Sequence, residues 1–208
     1  MPSATYTPDE FAQCKRKFFL PPCPVSQLPD DLKDSGERPT LHLLRRDLQE
    51  LYREERFFEP DNADKHKAPY LAAMGIFTGL DLMAKFYSRN PKNGKVFKGF
   101  LSRVCGARSA DACFMWELRN ALHHSYSLHL QTQRQLKFTT APFSAGQNWH
   151  TMSEGYSVIN FWGLKWHFLQ SINSFELWLQ TAPPASQEFF VERYKAAGRI
   201  YVAGNVKL

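Results

Sequence analysis

The sequence predicts an all-α domain: a helical bundle, with room for one small β-hairpin. Apolar residues recur at three- and four-residue intervals along several long stretches, the mark of helices with one buried face. Prolines stand at the ends of those stretches, where they stop or start a helix. Hydrophobic content is 43% and charged content 22%, close to globular averages, and seventeen Phe with five Trp supply large side chains for a core.

The 208 residues suit one domain with extensions. Residues 1–39 hold seven of the thirteen prolines and read as an N-terminal arm in which regular helices are not expected. Its stretch Cys14–Leu20 mixes charge with apolar anchors that can pack on the body. The body is expected over 40–182, and a C-terminal helix with an extended tail over 183–208.

A first helix is expected over Thr40–Phe58, after Pro39, with Leu41, Leu44, Leu48, Leu51 and Tyr52 as its stripe. A second follows at Pro69–Arg89, with Ile76, Leu80, Met83 and Tyr87 on one stripe; Gly75 and Gly79 would let a neighbouring helix come close. Asp81, set among apolar residues there, reads foremost as a turn-exposed carboxylate and secondarily as a partner for a basic group. Asn90–Gly94 is a turn, and Lys95–Cys105 a short helix with Val96, Phe97, Phe100, Leu101 and Val104 inward.

Ser109 then reads as the N-cap of the helix that carries the chemistry, with Asp111 in its first turn and Phe114, Leu118 and Leu122 facing the core. Gln135–Thr140 has strand character, and Tyr156–Ile159 is expected to pair with it as a hairpin. A long helix is expected from Val158 or Phe161 to Gln180, with Phe161, Leu164, Phe168, Ile172, Phe175 and Leu179 inward; Trp162, Trp166, Leu169 and Trp178 widen its apolar arc. The motif helix and this one are expected to lie antiparallel at the centre of the bundle. Pro183-Pro184 end it, and Ser186 caps a last helix to Ala197.

Several classes are set aside by composition. Cys14, Cys23, Cys105 and Cys113 form no CxxC pair and lie at no ligand spacing from a His, so neither a zinc site nor a disulfide framework is expected. Met1–Glu10 lacks the features of a signal peptide, and Val158–Leu179 is too polar for a membrane span; a cytoplasmic chain is expected. There is no glycine-rich phosphate loop and no GxSxG elbow, and no cofactor is expected. Between Lys85 and Ser153 there are ten Lys or Arg and two acids, a local +8 against +6 for the whole chain. Lys92, Lys95, Lys98, Arg103 and Arg108 lead into the motif helix and are candidates for RNA binding; the plainer reading is a solvated basic face.

The chemistry gathers at Arg119-Asn120-Ala121-Leu122-His123-His124. At about 100° per residue, Arg119 and His123, and likewise Asn120 and His124, lie within roughly 40° on the helix surface. A guanidinium, an amide and two imidazoles therefore share adjacent rows. The plainer reading is a helix end where His and Arg meet terminal carbonyls.

Arg-Asn-x-x-x-His near the end of a helix in an all-helical chain resembles the HEPN superfamily (higher eukaryotes and prokaryotes nucleotide-binding), over about 40–182. Arg119, Asn120 and His124 match its hallmark in the form with four residues between Arg and His. The resemblance implies a metal-independent endoribonuclease working as a homodimer, with motifs from two subunits facing one cleft. Arg119 would hold the phosphate, His124 transfer protons and Asn120 support it; His123, at the wrong spacing, is auxiliary. RNA carries its own nucleophile, the 2′-OH, so a titrating imidazole and a fixed cation suffice in principle. The alternative is a non-catalytic HEPN-like dimeric scaffold that binds nucleotide, RNA or a protein partner. A toxin–antitoxin or defence setting, with an antitoxin-like protein partner, is one context such a chain would fit.

Overall fold

In this computed structural model the described residues are 6–51, 69–90, 92–125, 135–139, 141–144 and 146–201. Among them, eight α-helices dominate and five short strands form two small sheets. The helices are α1 (Pro8–Phe18), α2 (Asp30–Ser35), α3 (Thr40–Leu51), α4 (Pro69–Tyr87), α5 (Asn93–Arg103), α6 (Ser109–Ser125), α7 (Phe161–Thr181) and α8 (Pro184–Ala197). The strands are β1 (Glu37–Pro39), β2 (Gln135–Thr139), β3 (His150–Ser153), β4 (Tyr156–Asn160) and β5 (Arg199–Tyr201).

The centre of the bundle is α4, not the expected α6–α7 pair. It packs against α3, α5, α6, α7 and α8, whereas α6 and α7 share no extended contact. Its composition explains this. Ala72, Ala73, Ile76, Phe77, Leu80, Met83, Ala84 and Phe86 are all buried, so most of its circumference is apolar. Gly75 and Gly79 let neighbours approach closely, as expected. A Cβ on Gly79 would lie 2.5 Å from Phe168 Cε2 of α7 and 2.9 Å from Leu44 Cδ2 of α3.

The predicted stripes of the other helices are buried as expected: Phe114, Leu118 and Leu122 on α6, and Phe161, Leu164, Phe168, Ile172, Phe175 and Leu179 on α7. Asn160 caps α7, its side-chain oxygen accepting from Gly163 N at 3.0 Å. The first i→i−4 bond of α6 runs from Ala112 N to Arg108 O, which makes Arg108 the cap residue in place of Ser109. The last helix begins at Pro184 with Pro183 as its cap, three residues before the expected Ser186 cap, because proline suits the first helical position. The expected extension of the first helix to Phe58 lies outside the described residues.

The N-terminal arm departs most from expectation, since it contains α1 and α2. Pro8 occupies the start of α1, where no amide hydrogen is needed, and Thr7 Oγ1 accepts from Glu10 N at 3.1 Å. Proline count alone therefore misjudged it. The expected packing of Cys14–Leu20 on the body does occur. Phe18 is fully buried against Phe86 of α4 (ring centroids 4.7 Å apart) and Phe190 of α8 (5.3 Å).

Two sheets complete the chain. β1 and β5 pair antiparallel, a contact the sequence did not reveal. In the other sheet the order is β2-β4-β3. The expected hairpin of 135–140 with 156–159 is not formed: those segments are neighbours but run parallel. The hairpin partner of β4 is β3, across a turn where Gly155 has φ 76°, a conformation that favours glycine. A parallel pair needs a long crossover, and the segment between β2 and β4 supplies one.

Gly79→Ala should destabilise the fold by about 1–3 kcal/mol through overpacking against Phe168 and Leu44. Gly99→Ala, whose Cβ would meet only Tyr87 Cε1 at 4.0 Å, should stabilise α5 by about 0.5–1 kcal/mol. Urea denaturation of both variants measures the contrast.

Candidate functional site

Helices α4 and α6 run antiparallel along a polar seam. Met74 and Asp81 are seven positions apart on α4, two turns of one face, and Arg119 and His123 are four positions apart on α6. Arg119 Nε donates to Asp81 Oδ2 at 2.9 Å, and its Nη2 makes a second, shorter contact to the same oxygen. Arg119 Nη1 donates to Asn120 Oδ1 at 3.2 Å. The guanidinium carbon stands 5.3 Å from the centre of the Trp116 ring. One turn on, His123 Nε2 is 3.2 Å from Met74 O, which also accepts from Thr78 Oγ1 at 2.9 Å.

The seam brings Arg119, Asn120 and His123 together, as predicted. His124 lies in α6, but its side chain falls outside the described residues. The reading of Asp81 as a turn-exposed carboxylate is corrected: it lies within α4, its side chain is 13% exposed, and it faces an Arg119 side chain of 14% exposure. The lesser reading, a partner for a basic group, describes its place. Most of the Arg119 fork is therefore occupied within the chain, and a phosphate would have to share or displace Asp81.

Trp116, which the sequence did not single out, links this seam to α5. A Cβ on Gly94 would lie 3.0 Å from the Trp116 indole, so the start of α5 rests on that ring. The buried face of α5 is Val96, Phe97, Phe100 and Leu101. Its outer side carries Lys95, Lys98 and Arg103, with Lys92 at its start; Lys98 is half-buried and the others are exposed. None of the four has an acid partner among the described residues. The fifth candidate, Arg108, does: it holds Asp111 through Nε–Oδ2 at 2.8 Å and Nη2–Oδ1 at 3.2 Å. The predicted basic set thus divides into an acid-free strip along α5 and a paired residue at the α5–α6 corner.

That corner encloses a cavity of about 180 Å³. Leu101, Cys105, Asp111, Met115, Trp149 and His167 are among its lining residues. Burial pushes the Cys105 thiol up to about 11, so it is not a thiolate at neutral pH. Burial pushes His167 down, and likewise His150, whose ring stacks on Phe114 with centroids 4.6 Å apart and whose Nδ1 is buried without a partner. Nothing local in the sequence marks this site, because its walls come from three separate segments. Among the described residues no group of three His, Cys, Asp or Glu side chains is placed to hold a metal ion. No helix among them is long and apolar enough to cross a membrane.

Two outcomes follow from this chemistry. Asp81→Ala should cost about 3–5 kcal/mol, towards the lower end because both partners keep some solvent contact, and the Asp81→Leu/Arg119→Met pair should recover most of it in urea melts. His42, His150 and His167 are all pushed below the ordinary value of 6.5, chiefly by burial. The unfolded chain then binds protons first, so stability is complete above about 6.5 and falls as pH drops below it. The urea midpoint should be lower at about pH 5.5 than at about pH 7.5, and His150→Phe should narrow the difference.

Compared with family models, curated proteins and solved structures, the chain matches none of them.

Proposed function

We propose that this chain is an RNA-binding helical module of HEPN-like type, acting as a dimeric scaffold. The observation that carries the reading is the acid-free strip of Lys92, Lys95, Lys98 and Arg103 on α5, abutting the half-buried Trp116 and the Arg119 seam. A group of cations with no acid partner among the described residues, beside an aromatic ring, suits a single-stranded polyanion with a base to stack. Arg119 serves the fold first, since Asp81 and Asn120 hold its donors. The second copy is supported by Trp166, Leu169 and Leu177, exposed on one stripe of α7.

Endoribonuclease activity is the second reading, favoured by Arg119, Asn120 and His123 sharing one stretch of α6, with His124 next in the chain. In that reaction a His would remove the 2′-OH proton, and the 2′-oxygen would attack the in-line phosphorus. The 5′-oxygen would leave with a proton from a second acid, supplied by the partner's motif. Arg119 would have to exchange Asp81 for the phosphate, a step with a cost, because a carboxylate is then left without its partner.

One assay separates the readings. Single-stranded RNA should bind with an affinity that falls steeply with salt. Lys95→Glu/Lys98→Glu/Arg103→Glu should weaken binding and lower the log–log salt slope by about 0.7 for each phosphate that is no longer neutralised. Incubation of wild type with varied RNAs in EDTA should leave them intact. Cleavage to 2′,3′-cyclic phosphate ends, reduced about 10²–10⁴-fold by His124→Ala with unchanged circular dichroism, would establish the enzyme instead. Absence of both binding and cleavage would sink the two readings together.

A further inference from the structure

The cavity at the α5–α6 corner lies at the far end of α6 from Arg119, eight residues away at Asp111, or about 12 Å along a helix. At about 180 Å³ it is below the range of drug-sized sites, about 300–1,000 Å³, and is suited to a single ring system. Leu101 and Met115 give it apolar surface, and the buried Trp149 contributes an indole.

Its polar chemistry is specific. The Asp111 carboxylate, 17% exposed, receives two N–H donors side by side from Arg108, whose own side chain is 79% exposed. The pair is bidentate, the geometry in which a surface ion pair holds best, so a ligand displaces Arg108 only by returning two N–H donors to Asp111 at once. Asp111 therefore forms a receptor for two adjacent N–H groups, occupied by a removable surrogate. Neither ring nitrogen of His167 has a hydrogen-bond partner among the described residues. As a neutral imidazole it offers one donor and one acceptor, and Gln170 adds an amide at the rim. The charged residues that line the cavity are Arg108 and Asp111, so a ligand that holds Asp111 with N–H groups leaves Arg108 for an anionic group.

We propose that this cavity binds a guanine base, with Asp111 accepting from its N1–H and N2–H and Arg108, released from Asp111, taking the attached phosphate. Guanine presents two adjacent donors on one edge. Adenine and cytosine present a donor beside an acceptor, and uracil a donor between two acceptors, each of which sets a lone pair against the carboxylate. Trp149 contributes apolar ring contact, and His167 and Gln170 have N–H groups for O6 and N7. The inference stands on the cavity and goes beyond the RNA reading. A free guanine nucleotide and a guanosine within RNA carry the same chemistry, and in the second case the cavity adds base preference to the strip on α5.

Calorimetric titration of the whole chain with GMP, AMP, CMP and UMP tests this, beside filter binding of oligo(U) with and without one guanosine. GMP should bind at least about tenfold more tightly than the other three. Asp111→Asn, which turns an N–H donor towards the base, should abolish the preference with circular dichroism unchanged. Arg108→Ala, which removes the competitor for Asp111, should strengthen guanosine binding and remove the advantage of GMP over guanosine. Equal affinity for all four nucleotides, no GMP binding at millimolar concentration, or an undiminished preference in Asp111→Asn would each overturn the proposal. Should that variant fail to fold, the wild-type ranking and the exposed Gln170→Ala decide, the latter expected to weaken GMP alone. Salt-sensitive oligo(U) binding that a guanosine does not strengthen overturns the guanine site and leaves the RNA reading standing. GMP binding without oligo(U) binding does the reverse. Asp111-dependent binding of arginine amide without GMP binding would overturn the proposal in favour of a guanidinium-bearing peptide.

Discussion

The ion pair between Asp81 and Arg119 sets the relation between the central helix and the motif helix. Each side chain is largely out of water, so neither charge is tolerable without the other. That requirement fixes the rotation and the register of α6 on α4, and with them the places of Asn120 and His123. It also constrains chemistry. A guanidinium with Nε and both Nη groups engaged inside the chain is a poor phosphate clamp until something replaces its partner. Stability of the α4–α6 seam and any phosphate contact by Arg119 would therefore draw on the same hydrogen bonds and oppose each other.

The rest of the fold is closed by a second buried charge. Glu37, 4% exposed, accepts from the Tyr194 hydroxyl at 2.9 Å and lies 3.4 Å from Arg199 Nη1 and 3.6 Å from Lys17 Nζ. These groups come from β1, α8, β5 and α1, so one carboxylate ties four elements together. The Tyr194 hydroxyl is pushed far above its ordinary range, first by burial and then by Glu37, and stays a donor. Around it Phe18, Phe86, Phe175 and Phe190 fill the core with mostly edge-on rings. The proline-rich N-terminal segment is thereby part of the domain.

What was legible in the sequence was local. The stripes of α6 and α7 follow from periodicity, and the closeness of Arg119, Asn120 and His123 follows from helical geometry alone. The glycine pair on α4 announced close packing, though not which helices would use it. What was not legible depends on partners distant in sequence. Asp81 lies thirty-eight residues before Arg119, and nothing near it distinguishes a solvated carboxylate from a buried one. The same holds for the parallel pairing of β2 with β4, where two strand-like segments gave composition but no direction. α1 was missed for a different reason: seven prolines in 1–39 count against helices on average, yet a single proline at a first turn favours one.

The two ends of α6 differ in how firmly their charges are bound, and that difference orders their functional prospects. At its C-terminal half, Arg119 is sheltered and paired with a sheltered acid, so exchange with a ligand would expose an unpaired charge in a poorly solvated place. At its N-terminal end, the Arg108–Asp111 pair joins an exposed cation to a sheltered acid beside a cavity. Released Arg108 is solvated by water, and a ligand that donates two N–H groups to Asp111 restores its hydrogen bonds though not its countercharge, so the exchange costs less than it would at Arg119. The recognisable motif therefore sits where the chain is most committed to its own structure. The corner that no local pattern marks is where binding can be reversible, and the acid-free face of α5 lies along the helix that joins the two.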